Sequence, residues 1–285
     1  MIKSMTGYGK SQLQLPTKKI TIEIKSLNSK NLDLNTRMPS LYREKEIEIR
    51  RILAKNLLRG KIDFSLFIEA TGDETTTVIN ENVVQNHIKQ LQNITKSSSE
   101  DLLAIAMRLP DVLKIEKEEL DEKEWKVLEE MIDESIIKLN AFREDEGKAL
   151  KKDFFLRINA IKNNLNNVID IDKERLEAVR ERLQTAILDI RETVDENRFE
   201  QEMIYYLEKL DITEEKVRLT NHLDYFLAEL DSEISNGKKL GFISQEIGRE
   251  INTIGSKANY APMQKLVVQM KDDLEKIKEQ LLNVL

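Results

Sequence analysis

The chain has 285 residues, no cysteine, only 9 Gly and 4 Pro, 34% charged residues and a net charge of −7. The missing cysteine excludes disulfides, thiolate metal sites and thiol nucleophiles, so any metal must use oxygen ligands or the two histidines, His87 and His222. No run of about 18 apolar residues exists to span a membrane, and no apolar export segment is recognisable, so a cytoplasmic protein is expected. Charge is unevenly spread. Residues 1–70 hold 14 Lys and Arg against 7 Asp and Glu, a local +7 that leaves −14 for the rest. A basic front on an acidic body can steer a polyanion, though a solvated face with no partner has the same composition.

In chain order, a strand-like run near Met5–Leu15 is followed by Pro16-Thr17 and by Ile20, Ile22 and Ile24 alternating with polar residues, which predicts a hairpin. After Pro39, Leu41, Ile47, Ile52 and Leu53 have helical spacing, giving a helix to about Leu58 that Arg59-Gly60-Lys61 ends. Ile62, Phe64, Leu66 and Ile68 alternate again, so two strands, a helix and a strand form a small unit with the helix on one sheet face. From Asn80, a plausible helix cap, the pattern is almost wholly helical. Ser97–Glu100 reads as a polar loop, Pro110 as a break, and Asp170–Lys173 and Asp195–Asn197 as candidate interruptions of long charged helices. Met263, Val267, Met270, Leu274, Ile277, Leu281 and Val284 form a heptad seam, which predicts packing along a helix of this chain or of another subunit. The expected fold class is α+β. A small N-terminal sheet unit (1–80) precedes an elongated helical middle (81–200) and a C-terminal helical bundle (201–285).

No phosphate-binding loop, dinucleotide fingerprint or paired-histidine zinc motif is present. Met5-Thr6-Gly7-Tyr8-Gly9 suits a tight turn, a bulged strand start or a close backbone approach. The segment Asp211–Lys257 is richer. Asp211 or Thr213 caps a helix on which Glu214, Arg218 and His222 recur every four residues, with Glu215 beside them. Beyond Asn236-Gly237, Glu246 and Glu250 share a face of a second helix, near Lys238 and Arg249. If the two helices lie antiparallel with acidic faces meeting, up to four carboxylates and an imidazole converge, a donor set suited to Mg²⁺ or Mn²⁺. Ordinary i,i+4 ion pairs on exposed helices explain the same spacing without any metal.

The residues Met5-Thr6-Gly7-Tyr8-Gly9, the run Glu23 through Asp33, and Arg59-Gly60-Lys61 resemble the N-terminal signatures of the YicC/YloC proteins. Phe142-Arg143 with Glu146-Gly147, Asp195 through Arg198 with Gln201-Glu202, and Asp211 through Lys257 resemble that family's middle and C-terminal parts. The resemblance implies a cytoplasmic endoribonuclease that needs a divalent cation, with manganese favoured, and a homo-oligomer, expected as a hexamer admitting RNA. Where the family usually carries Asp, this chain has Gly241, which weakens activity or changes a ligand if that Asp binds metal.

The sequence therefore predicts metal-dependent cleavage of RNA phosphodiester bonds. Glu215, Glu246 and Glu250 are the preferred ligands, with Glu214 and Asp211 as further candidates. Arg218, Arg249, Lys238 and Lys257 are assigned to phosphate, and His222 to proton transfer. Lys25, Lys30, Arg37 and Lys61 are expected to guide the RNA backbone with little base selectivity. The rival expectation is an RNA-binding adaptor or an oligomeric scaffold without catalysis.

Overall fold

The computed structural model describes residues 2–71, 77–95, 98–115, 120–190, 196–232 and 234–285. Strand β1 (Gly7–Gln14) turns through Pro16-Thr17 into β2 (Lys18–Leu27), and the two pair antiparallel as the alternation predicts. A strand that the alternation did not mark out, β3 (Leu32–Arg37), follows. A 3-10 turn (Ser40–Lys45) then leads into helix α1 (Glu46–Asn56), and β4 (Gly60–Ala70) completes a sheet of order β1-β2-β4-β3. β4 runs antiparallel to β2 and parallel to β3. In this register Ile22 stands opposite Leu66 and Ile24 opposite Phe64, so one face of the sheet is continuously apolar.

That face is covered by α1 and by α4 (Glu122–Ile190), a single helix of 69 residues and about 100 Å. α1 contributes Ile49 and Leu53; α4 contributes Leu128, Ile132, Ile136 and Leu139. The expected interruption at Asp170–Lys173 does not occur. Asp172 is held there by Arg175 one turn on, so these charges are neutralised inside the helix instead of breaking it. The other expected interruption, Asp195–Asn197, lies partly outside the described residues, as does Ser97.

β1 lies directly against α4. A Cβ on Gly9 would stand 1.9 Å from the Ser135 carbonyl oxygen, and one on Gly147 would stand 2.0 Å from the Ile2 carbonyl oxygen. Of the readings open for Met5–Gly9, close backbone approach is therefore the one realised. Ser11 seals the contact by donating to the Met131 carbonyl at 2.8 Å.

Between β4 and α4 stands a satellite of β5 (Thr77–Ile79), α2 (Glu81–Gln92), α3 (Ser99–Ala106) and β6 (Leu113–Ile115). Asn80 caps α2 as predicted, by accepting from the Val83 amide. Ser98, expected with its neighbours as loop, caps α3, and Ser99 and Glu100 are already helical.

Past α4 come α5 (Glu196–Lys209), α6 (Thr213–Leu230), α7 (Gly237–Lys257) and α8 (Ala261–Leu281). α6, α7 and α8 pack with the second half of α4 around Phe154, Ile158, Ile161, Leu165 and Val168. All seven seam residues are buried in this core, so the heptad finds its partner helices within the chain. Ile2 is buried there too. The chain's two ends are stitched together: the Met5 amide donates to the Asn283 carbonyl at 2.7 Å and the Leu285 amide to the Lys3 carbonyl at 2.9 Å.

Candidate active site

α6 and α7 are joined by the short connection 231–236 and pack along each other, the antiparallel pair expected. Asn236-Gly237 begins α7: the Asn236 side chain accepts from the Lys239 amide at 3.0 Å. α6 has already ended at Leu230.

The hairpin does not gather the predicted residues at one point. Lys238 and Lys257 sit at opposite ends of α7, about 28 Å apart along its axis. Lys238 is exposed, its ammonium 6.0 Å from the Phe242 ring centre. Glu214 and Arg218 form an exposed ion pair at 2.5 Å, and Glu246 and Arg249 another at 2.8 Å. These are the i,i+3 and i,i+4 surface pairs that the same spacing also predicts, and each is worth less than about 1 kcal/mol. His222 is half-buried, without a hydrogen bond or ion pair among the described residues. Neither Asp211 nor Thr213 is the N-cap of α6, which is Ile212 with no side-chain cap bond; Asp211 Oδ1 instead accepts from the Thr213 hydroxyl at 2.7 Å and the Thr213 amide at 3.1 Å. The hydroxyl holds the Asp211 carboxyl below its ordinary range, with the amide and nearby Lys216 and Lys257 adding to the effect and burial opposing it.

Glu215 and Glu250 differ from the rest. Both are buried, at 7% and 8% exposure. Glu250 forms no ion pair with any described residue. Glu215 Oε1 accepts from Lys257 Nζ at 2.9 Å, and the same ammonium donates to the Asp211 carbonyl at 2.8 Å. Glu215 Oε2 is buried and has no hydrogen-bond partner among the described residues. A buried acceptor left unsatisfied costs about 1–3 kcal/mol, and such atoms concentrate where a site uses them.

Behind this pair stands a residue that sequence reasoning missed. Arg175 on α4 is fully buried and spreads its guanidinium over three acceptors: Asp172 Oδ1 at 2.8 Å, the Leu210 carbonyl at 3.0 Å and the Lys257 carbonyl at 3.3 Å. Lys216 completes the network, donating to Asp172 Oδ2 at 2.7 Å. Arg175 thus fixes both the chain entering α6 and the last carbonyl of α7, the two points between which Glu215 meets Lys257. The signal was available: Val168, Asp172, Arg175 and Val179 fall on one helical stripe, and an Arg–Asp pair amid buried positions needs internal partners.

Among the described residues, no three His, Asp or Glu side chains are placed to hold a metal ion together. Mg²⁺ and Mn²⁺ are satisfied by about six oxygens, so one chain supplies too few converging donors for a cage. The described residues of one chain do not by themselves form a preformed cation site.

Gly241 faces open space: a Cβ added there would meet no atom within 4 Å. The glycine is not required by packing. Gly241→Asp is expected to fold normally and to gain about 0.5 kcal/mol, because Gly inside a helix is unfavourable and an acid suits the N-terminal half; urea melts of the two proteins check this.

Of the N-terminal cations, Lys25, Lys61 and Arg37 lie on β2, β4 and β3 with the parity opposite to Ile24, Ile62 and Thr36, so all three share the open face of the sheet. Lys30 is exposed in the β2–β3 connection. Lys25 Nζ lies 5.9 Å from the Tyr8 ring centre, and Tyr8 is 38% exposed. From Leu139 beneath the sheet to Arg175, α4 advances about 54 Å, so within one chain these cations, which share their face with Glu23, Asp33 and Asp63, are far from the Glu215–Lys257 pair.

Residues 2–152 match the family described as "Endoribonuclease YicC-like, N-terminal region", and residues 168–285 match "Endoribonuclease YicC-like, C-terminal". Among curated relatives, the protein named "Probable endoribonuclease YicC" from Clostridioides difficile (strain 630) is 32% identical over the full length of both chains. The protein of the same name from Haemophilus influenzae (strain ATCC 51907 / DSM 11121 / KW20 / Rd) is 30% identical, again over the full length of both. The α+β fold, the close-approach glycines and the collinear match from end to end lead to one assignment: the chain belongs to the YicC-like endoribonuclease family.

Proposed function

We propose that this protein is an endoribonuclease whose chemistry centres on Glu215 and Lys257. The observation that carries this reading is the buried Glu215 carboxylate, with one oxygen on Lys257 and the other unpartnered. A carboxylate so placed takes the proton of a hydroxyl as that oxygen bonds to phosphorus and the P–O bond to the departing nucleotide breaks, the leaving oxygen taking a proton from water, while the adjacent ammonium offsets charge on the phosphoryl oxygens. Arg175 keeps the two in register from behind. The names of the relatives support RNA as the substrate class. The open sheet face with Lys25, Arg37 and Lys61 supports a long electrostatic approach surface, with Lys30 beside it. Arg218, Arg249 and Lys238 remain candidates for phosphate, and His222 for proton transfer.

A divalent cation, Mn²⁺ or Mg²⁺, belongs to this reading as an ion that draws donors from RNA phosphates and water besides Glu215, Glu250, Glu246, Glu214 or Asp211; Mg²⁺ is commonly held by one or two carboxylates plus substrate phosphate. A cytoplasmic homo-oligomer acting in RNA turnover, with the hexamer as the expected state, completes the proposal.

The test is cleavage of a single-stranded RNA by the purified full chain, with Mn²⁺ or with EDTA. Glu215→Gln is expected to lower kcat by about 10²–10⁴ while RNA affinity changes little, the signature of lost acid–base chemistry. Cleavage that persists in both Glu215→Gln and Glu250→Gln and survives chelation sinks the proposal. One observation favours the adaptor reading instead, namely that no three acidic or histidine side chains converge among the described residues. Tight, salt-sensitive RNA binding with no cleavage under any ion would establish it.

A further inference from the structure

The body of the molecule beyond residue 70 is strongly acidic, yet one groove in it is cationic. It lies between α4 and the C-terminal end of α6, has a volume of about 350 Å³, and is lined by Lys148, Lys151, Lys152, Phe155, Leu227, Leu230 and Asp231. The α4 contribution recurs at i, i+3, i+4 and i+7, the spacing of one helical face. Three lysines and one phenylalanine occupy a stripe that flanks the buried face of α4 carrying Phe154 and Ile158.

The groove combines two kinds of surface. Phe155 leaves 54% of its area exposed and, with Leu227 and Leu230, makes an apolar floor. Over it stand ammonium groups in different states of engagement. Lys151 is held by Asp231 at 2.6 Å, Lys148 pairs with Asp145 where both side chains are largely exposed, and Lys152 has no partner among the described residues. A flat exposed ring beside one unpaired lysine and a second in an exposed, easily exchanged pair suits a ligand with an aromatic plane and a phosphate charge, because a ring stacks on any base while lysines hold the backbone. A flexible acidic peptide would use the lysines but leave the Phe155 ring in water. The groove also lies along α4 between the sheet that carries Lys25, Arg37 and Lys61 and the Glu215–Lys257 pair toward the far end.

We infer that this groove is a binding subsite for single-stranded RNA, in which a base stacks on Phe155 while Lys148 and Lys152 contact the flanking phosphates. The inference rests on the RNA reading above and adds to it the place where the strand crosses the helical body and its single-stranded character. A duplex keeps its bases stacked inside and presents no free face to Phe155.

The experiment measures binding of a fluorescein-labelled single-stranded RNA to the full chain by anisotropy across a salt series, with sedimentation of each variant alongside. Lys148→Glu/Lys152→Glu is expected to weaken binding at least about tenfold and to make the slope of log K against log salt shallower by about 1.4, the amount for two single-strand phosphate contacts. Phe155→Ala is expected to weaken binding by about tenfold with the slope unchanged, as a lost stacking contact should. Lys265→Glu/Lys276→Glu on α8 carries the same charge change elsewhere and is expected to cost less than about threefold. The inference is overturned if the groove variants match this control, or if Phe155→Ala binds like the wild type. It is also overturned if the groove variants change the sedimenting mass, which would make a second copy of the chain the occupant. Wild-type protein that binds and cleaves RNA while the groove variants behave normally leaves the endoribonuclease reading intact and removes this subsite. Wild-type protein that neither binds nor cleaves RNA removes both.

Discussion

Gly9→Ala is expected to destabilise the protein by about 3 kcal/mol, at the upper end of what overpacking a well-packed interior costs. The new methyl would sit 1.9 Å from the Ser135 carbonyl oxygen and the site is hemmed in by backbone, with Leu139 N at 3.0 Å, so no side-chain rotation relieves it. β1 must lift from α4, and the Ser11 bond to Met131 is stretched with it. Alanine does restrict the unfolded chain, which alone would stabilise by about 0.4–1 kcal/mol, but the collision is several times larger. Urea unfolding followed by circular dichroism reads the loss. Gly241→Ala, at a position with open space around it, is the control and is expected to melt at or above the wild-type midpoint. Equal midpoints for Gly9→Ala and wild type would mean that β1 does not rest on α4.

Arg175→Met is the second substitution with a large expected effect, a loss of about 3–5 kcal/mol, as for other buried charges stripped of a partner. It keeps the bulk of the stem but leaves Asp172 with Lys216, strips the Leu210 carbonyl of its donor and leaves the Lys257 carbonyl only the Asn259 amide at 3.1 Å. In a chain of this size the melting temperature should fall on the order of 10 °C. Arg218→Met breaks the exposed pair with Glu214 and should cost less than about 1 kcal/mol. If the two variants melt alike, the buried network is not what holds the ends of α6 and α7 together.

How much of this was legible depended on how local the signal was. β1, β2 and β4 announce themselves because one face is buried and the period is two. β3 carries the same alternation in Leu32, Leu34 and Thr36, but only half-buried and at a sheet edge, where the contrast between faces fades. Its partner β4 is reached only through α1, and no pattern in the run itself reveals a parallel pairing. The C-terminal seam was clear because seven residues repeat on one stripe, although the stripe could not say which helices it meets. The candidate site was hardest. Spacing of four tells which side chains share a helix face but not how that face is rotated toward a neighbour. Glu214 and Glu215 are adjacent in sequence and about 100° apart on the helix, and that angle alone puts one in solvent and the other against Lys257. Arg143 stands out in the sequence only as part of a motif. It is buried, with its guanidinium on the Ser26 hydroxyl at 2.6 Å and no ion pair among the described residues, and burial pushes its pKa down to about 10, still well above neutral, so it stays charged.

The stitching of residues 3–5 to residues 283–285 also sets an order of events during synthesis. Ile2 has its burial site among helices from the second half of the chain, and the amide of Met5 finds its acceptor on Asn283. At ribosomal rates of about 5–20 residues per second, the first residues wait on the order of tens of seconds for these partners to emerge. Until then the start of β1 has an unmatched end, and the helical bundle has an unfilled place in its core. These contacts therefore close only once residues 283–285 have been made, so pairings of this sequence separation form late.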